Sequence, residues 1–172
     1  MEAAEVLDKV GSLGCKHLVL TGGEPLMHQS LLRPLLTSLR SAGYYVEVET
    51  NGTFAPRDEI AALVDCFNVS PKISNSLVEE DRRLRPQALK TFAKNPKAWF
   101  KFVVCKDGDL AEIEGLIMRF SLPRERVILM PEGTDAETIL ERSRWLVEIC
   151  KEKGFRFSPR LQILLFGNRR GT

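Results

Sequence analysis

The sequence carries little net charge: 25 Lys and Arg against 23 Asp and Glu leave +2 over 172 residues. That balance does not argue for a nucleic-acid partner, and the short clusters Arg82-Arg83 and Arg169-Arg170 read as a solvated face. No apolar run reaches the ~18 residues of a membrane span, so no membrane partner is expected. The first residues, MEAAEVLDKVG, are acidic and amphipathic and contain no secretory hydrophobic region. Cysteine is sparse: Cys15, Cys66, Cys105 and Cys150 lie 51, 39 and 45 residues apart. No pair has the spacing of a zinc or cluster site, so no metal ligand is assigned, and reduced thiols at core or near-core positions are expected. Together these absences make the cytoplasm the expected compartment. No linker, low-complexity tract or short-period repeat interrupts the chain, and residues 1–172 are read as one domain.

What is present is a regular alternation. Residues 2–13 place Val6, Leu7, Val10 and Leu13 on one helical face, with Gly14 as a stop. Residues 17–21 predict a strand. Residues 30–42 predict a helix ended by Gly43, with Pro34 in its first turn, where a missing N–H costs little. Further strands are expected at 44–50, 66–70, 99–104 and 127–130. Helices are expected at 57–64, 109–120 and from Thr134-Asp135 to Lys153, capped by Gly154. The stretch ISNSLVEEDRRLRP suggests loop plus a short helix, residues 87–94 a helical turn, and residues 156–166 an extended ending. Repeated strand–helix units predict an α/β fold with a parallel sheet and right-handed crossovers. Runs such as LVL and FKFVV, apolar almost throughout, predict strands covered on both faces.

In parallel α/β folds, functional residues collect at the C-terminal ends of strands. Those ends here read Thr21-Gly22-Gly23-Glu24-Pro25, Glu49-Thr50-Asn51-Gly52-Thr53, Ser70-Pro71-Lys72 and Met130-Pro131-Glu132-Gly133-Thr134. Two adjacent glycines let the backbone approach a ligand with no Cβ in the way. Their carbonyls can accept from an ammonium group, Glu24 adds a carboxylate, and Pro25 fixes the exit of the turn. A phosphate cradle would instead show a Lys in G-x-x-x-x-G-K-[ST], which is absent. A tight connection with no ligand remains the alternative for Gly22-Gly23. Glu49, Asn51, Ser70 and Lys72 add polar groups from neighbouring strand ends, Lys72 being suited to a carboxylate or a ribose.

The strand ending in TGGEP resembles the GGEP motif of radical S-adenosylmethionine (SAM) enzymes. With VETNGT at 48–53, NVSPK at 68–72, LMPEG at 129–133 and the ending SPRLQILLFGNRRGT, the sequence is similar more narrowly to the 7-carboxy-7-deazaguanine synthase family. The resemblance runs in order from Gly14 onward. It implies a lyase using SAM, a 4Fe-4S cluster and Mg2+. Such an enzyme rearranges 6-carboxy-5,6,7,8-tetrahydropterin to 7-carboxy-7-deazaguanine with loss of ammonia, in 7-deazapurine (queuosine) biosynthesis. It further implies that Gly22, Gly23 and Glu24 hold the SAM amine and that Ser70, Pro71 and Lys72 line the SAM site. Thr21 would contact the pterin, and the chain end would bring Thr172 to the substrate. Glu49 and Asn51 are assigned to the SAM side from their place at a strand end. A pterin substrate, an external electron donor and a homodimer follow from the same likeness.

One departure matters. Family members bind their cluster through three cysteines in a loop that precedes TGGEP, and the twenty residues before Thr21 hold only Cys15. The expected fold is therefore a partial (β/α) barrel of the radical SAM type, lacking its first strand and cluster loop, with an unpaired strand edge. The chain alone is expected to assemble no cluster and to be inactive. Three explanations are carried forward: a truncated or misassigned start, a segment supplied by another chain, or a non-catalytic relative that still binds SAM or a pterin.

Overall fold

The computed structural model describes residues 3–169. Helix α1 (Ala3–Gly11) leads to strand β1 (His17–Leu20), and a 3-10 turn (Pro25–His28) runs into α2 (Gln29–Ser41). Then follow β2 (Tyr45–Thr50), α3 (Asp58–Leu63) and β3 (Cys66–Val69). Two short helices, α4 (Glu80–Arg83) and α5 (Pro86–Lys94), precede β4 (Ala98–Val104). The chain continues through α6 (Asp109–Phe120), β5 (Val127–Pro131), α7 (Ala136–Lys153), β6 (Arg156–Phe157) and α8 (Leu161–Phe166). The strands form one six-stranded sheet in the order β1-β2-β3-β4-β5-β6, and every neighbouring pair is parallel.

A chain that steps to the adjacent strand in the same direction each time winds its right-handed crossovers onto one side of the sheet. The burial pattern agrees. Along β2, Val46, Val48 and Thr50 are buried, while Tyr45 is exposed and Glu47 and Glu49 are half-buried. Along β4, Ala98, Phe100, Phe102 and Val104 are buried, while Trp99, Lys101 and Val103 are half-buried. The expectation that both faces are covered is therefore corrected. Helices cover one face, and the other is the concave side of a half-open (β/α) barrel. FKFVV looked uniformly apolar because, of the two residues that face inward, Val103 is itself apolar and Lys101 is one letter among four hydrophobic ones.

The core lies between the outer sheet face and the helices. Phe67, Phe92, Phe100, Phe102 and Phe120 are fully or almost fully buried there. Phe67 of β3 meets Phe92 of α5 edge to face, ring centroids 5.6 Å apart, a geometry worth ~1 kcal/mol beyond the area it buries. Removing one such ring would cost about 3–5 kcal/mol. Caps fix the helix ends as the sequence suggests: the Asp135 carboxylate accepts from the Thr138 N–H at 2.8 Å, and Gly154 closes α7 with φ 72°.

Several expectations move. Helix α2 begins at Gln29, so Pro34 lies inside the helix rather than in its first turn. The preceding 3-10 turn feeds the helix earlier than the sequence suggested, and Gln29 anchors that start. Its buried amide donates to the Ala55 carbonyl at 3.0 Å and accepts from the Arg57 N–H at 2.7 Å. Residues 156–166 are not one extended segment. Strand β6 ends at Phe157, and residues Leu161–Phe166 form helix α8. Arg83 is buried, not part of a solvated face, and Cys15 is exposed rather than near the core. Among the described residues, no helix is long and apolar enough to cross a membrane.

Candidate functional site

At the C-terminal ends of β1 to β4 the concave side opens into a cleft of about 290 Å³. Its walls include Thr21, Gly22, Gly23, Glu49, Asn51, Ser70 and Lys72, drawn from three strand ends. Seven of the positions singled out by sequence thus converge on one space. Another depression, lined by Met27, Leu31, Phe54 and Arg57, contains none of the strand-end motif residues.

The two glycines of the first turn face open space. A Cβ built on Gly22 or Gly23 meets nothing within 4 Å, and Gly22 has φ 136°, which side chains rarely adopt. Nothing in the protein's own packing therefore requires a bare backbone at Gly23. A ligand lying against it would. Gly52 and Gly133 differ. A Cβ on Gly52 would stand 2.9 Å from Val69 Cγ1, and one on Gly133 would stand 2.7 Å from Ile139 Cγ1.

Glu24 is turned away from the cleft. Its Oε1 accepts from the Leu26 N–H at 3.1 Å and the Thr50 hydroxyl at 2.8 Å, and its Oε2 accepts from the Asn51 N–H at 2.8 Å. The carboxylate thus ties the end of β1 to the end of β2 and caps the 3-10 turn. Asn51 is also partly committed. Its Oδ1 accepts from the Thr53 N–H at 2.9 Å and the Thr53 hydroxyl at 2.6 Å. Pro71 is buried and stiffens the backbone between Ser70 and Lys72. The Lys72 ammonium has no hydrogen-bond or ion-pair partner among the described residues, and it sits on the cleft wall. Thr172 lies outside the described residues.

Polar bridges line the concave side. The Glu49 carboxylate accepts from Thr21 Oγ1 at 3.3 Å and from Lys101 Nζ at 3.3 Å, which joins β1, β2 and β4. Deeper down, Glu47 accepts from the Asn68 amide and lies 3.3 Å from His17 Nε2. Lys101 and Asn68 also line the cleft and were not singled out from sequence. Strand alternation was the signal for both: a Lys between two core phenylalanines, and an Asn between Phe67 and Val69, must point to the opposite face.

The fourth rim turn does not reach this cleft. Arg142 occupies the Glu132 carboxylate and donates to the Glu132 carbonyl at 2.7 Å, and Arg160 donates to the Gly133 carbonyl at 2.8 Å.

No family model matches the sequence. The 7-carboxy-7-deazaguanine synthase of Pyrobaculum aerophilum is 42% identical over 156 residues, covering 90% of this chain and 67% of that protein. The enzyme of the same name from Rhodopirellula baltica is 34% identical, with 98% of this chain and 68% of that protein covered. The chain belongs to the 7-carboxy-7-deazaguanine synthase family. In three dimensions it resembles QueE from Escherichia coli, with a TM-score of 0.69 at 25% identity over 93% of this chain and 64% of that one. The radical-SAM partial barrel is the shared architecture, and the chain spans about two thirds of the length of these relatives.

Family membership implies SAM, a 4Fe-4S cluster and Mg2+, and the residues fit the first of these only. The open glycine backbone, Ser70 and the unpartnered Lys72 suit a ligand carrying an amine, a carboxylate and a ribose. For the cluster and the Mg2+ the described residues offer no assembled ligand set. No group of three or more His, Cys, Asp or Glu side chains is placed to hold a metal among the described residues. Three of the thiols, Cys66, Cys105 and Cys150, are also held toward the protonated form, whereas metal ligation needs the thiolate. Burial, with Glu47 and Asp65 nearby, pushes the Cys66 thiol up to about 11. Burial alone pushes Cys150 up to about 11, and burial with Asp109 raises Cys105.

Proposed function

We propose that this chain provides the SAM-binding cleft and part of the pterin-facing barrel of a 7-carboxy-7-deazaguanine synthase. The reaction is the rearrangement of 6-carboxy-5,6,7,8-tetrahydropterin to 7-carboxy-7-deazaguanine with loss of ammonia, a step of 7-deazapurine biosynthesis. Support comes from the family membership, and one observation carries the site assignment: three strand ends converge on a cleft whose wall includes the bare Gly22-Gly23 backbone facing open space.

The roles follow from position. Gly22 and Gly23 offer carbonyls to the SAM amine, and Gly23 leaves room for close approach. Glu24 holds their turn against β2 by its three accepted hydrogen bonds. Lys72 supplies a cation for the SAM carboxylate or a donor for its ribose, and Ser70 a hydroxyl beside it. Pro71 keeps the two in register. Asn51 and Glu49 complete the polar wall, with the Glu49 charge balanced by Lys101. Thr21, the first residue past β1, faces the substrate side. When bound, SAM supplies the sulfonium from which radical chemistry starts; the protein orients it and keeps water away. Thr172 is retained as a substrate contact on the family likeness alone, as are an external electron donor and a second copy of the chain. A cytoplasmic setting is proposed from the dispersed cysteines, all four of them free thiols.

Anaerobic reconstitution with iron and sulfide, followed by iron counting and a SAM titration, tests the proposal. SAM binding near one per chain without stoichiometric iron is expected. That result also describes a SAM- or pterin-binding relative without redox chemistry, the second reading, with which the lack of a three-ligand His, Cys, Asp or Glu group among the described residues is compatible. Conversion of the pterin by the reconstituted chain would exclude this second reading. A chain that binds a sugar phosphate but not SAM would overturn the site assignment.

A further inference from the structure

Arg83 is the one Lys or Arg buried among the described residues, its side chain 7% exposed. It comes from α4, a single helical turn that contributes nothing to the cleft itself. Its guanidinium reaches three ways. Nη2 pairs with Glu112 of α6 at 3.0 Å, Nη1 donates to the Lys72 carbonyl at 2.9 Å, and Nε donates to the Val78 carbonyl at 3.1 Å. Glu112 completes a closed ring by accepting from the Ser74 N–H at 3.0 Å and the Ser74 hydroxyl at 2.5 Å. The backbone on both sides of Ile73, itself 2% exposed, is thereby gripped from α4 and α6.

A buried ion pair is an uneconomical way to stabilise a loop, since well-packed apolar residues of like volume often do as well or better. What a guanidinium offers is geometry: several donors in one rigid plane. Here that plane fixes the main chain of Lys72, whose ammonium is the unpartnered cation of the cleft. We infer that Arg83, held by Glu112, is a positioning residue that sets the direction of the Lys72 side chain into the cleft. The inference deepens the SAM reading above and rests on it for the identity of the ligand. Arg83 touches no ligand and acts only through Lys72.

The test uses the full chain with Arg83→Met, Arg83→Lys and Lys72→Met, and the double variant Arg83→Met with Lys72→Met. Glu112→Gln serves as a second route should Arg83→Met fold poorly. Calorimetric titration with SAM is expected to show Arg83→Met binding about 3- to 30-fold more weakly, the range of couplings carried by residues without ligand contact. Arg83→Lys should recover part of that loss. On the Lys72→Met background, Arg83→Met should cost nothing further, because both changes remove the same interaction. Additive losses would mean that Arg83 acts through the structure at large, and would overturn the inference while leaving the SAM site intact. Hydrogen exchange provides a ligand-independent arm. The Ser74 amide should exchange about tenfold faster in Arg83→Met and in Glu112→Gln, with β3 and β4 unchanged. Unchanged Ser74 exchange overturns the grip itself. Wild-type protein that binds no SAM overturns the SAM reading, and with it the role given to Lys72, whatever the exchange shows.

Discussion

Two rim turns, TGGEP after β1 and PEG after β5, both carry glycine followed or preceded by a glutamate, yet they are built for different ends. At Gly133 a Cβ would collide with Ile139, and the neighbouring Glu132 and carbonyl groups are taken up by Arg142 and Arg160. That turn is closed by the protein. At Gly22 and Gly23 a Cβ would meet nothing, and Glu24 faces back to brace the turn from behind. That turn is held rigid and left bare. Gly52, in the ETNGT segment, belongs with Gly133, pressed on by Val69 and Leu89. A glycine required by packing and a glycine required by a ligand look alike in sequence. The atoms in front of the missing Cβ mark the packing glycines, and of the glycines whose Cβ would meet nothing, Gly22 and Gly23 are the ones that line the cleft.

Substitution should break the two classes differently. Gly52→Ala is expected to do most damage. It combines φ 79° with contacts of 2.9 and 3.1 Å to core side chains, and should cost about 3 kcal/mol, measured by urea denaturation. Gly133→Ala, with ordinary backbone but a contact of 2.7 Å, should cost about 2 kcal/mol by the same measurement. Full stability in either variant would remove the packing account of that glycine. Glu24→Ala orphans two N–H groups and a hydroxyl and should cost ~1.5 kcal/mol while also weakening SAM binding, since the turn loses its brace.

A position far from the rim serves as a control. Asp65, just before β3, accepts from the Val46 N–H at 2.9 Å and pairs with Arg40. Burial alone would raise its carboxyl, but the Val46 N–H and the Arg40 guanidinium outweigh it and hold it below the usual carboxylate range. A depressed folded-state value means that this stabilisation is present above the unfolded carboxylate value and fades as pH falls through the folded one. Asp65→Asn should therefore cost ~1 kcal/mol at pH 7, with the difference from wild type shrinking below about pH 4. SAM affinity should not change. A variant that loses SAM binding would show that the rim is not separable from the base of the sheet.

Much of this was legible in the letters. Strand–helix alternation gave the parallel sheet, and the motifs at its strand ends named seven residues that meet in one cleft. What stayed hidden has physical causes. The inward role of Lys101 and Asn68 was masked by their hydrophobic neighbours until alternation across a one-sided sheet was seen. The extended reading of residues 156–166 missed α8 because its N-cap residue, Arg160, makes no side-chain cap, leaving only Gly167 to mark an end. Arg83 looked like a surface charge because its partners are remote: Glu112 lies 29 positions away, and the Lys72 carbonyl is a main-chain atom that no side-chain pattern records. Glu24, which GGEP sets beside the glycines, has its hydrogen bonds to Thr50 and Asn51 set by the fold, a pairing that no local pattern records.

The central claim is that the bare turn exists for SAM, and Gly23→Val tests it with the smallest disturbance to the fold. Calorimetric titration of SAM into wild type and variant, with thermal melts of both, is the direct measurement. Wild-type binding near one per chain, lost or weakened at least about tenfold in Gly23→Val with stability within ~0.5 kcal/mol, is the expected result. Equal SAM binding by the two proteins, or a variant that fails because it unfolds, would contradict the account.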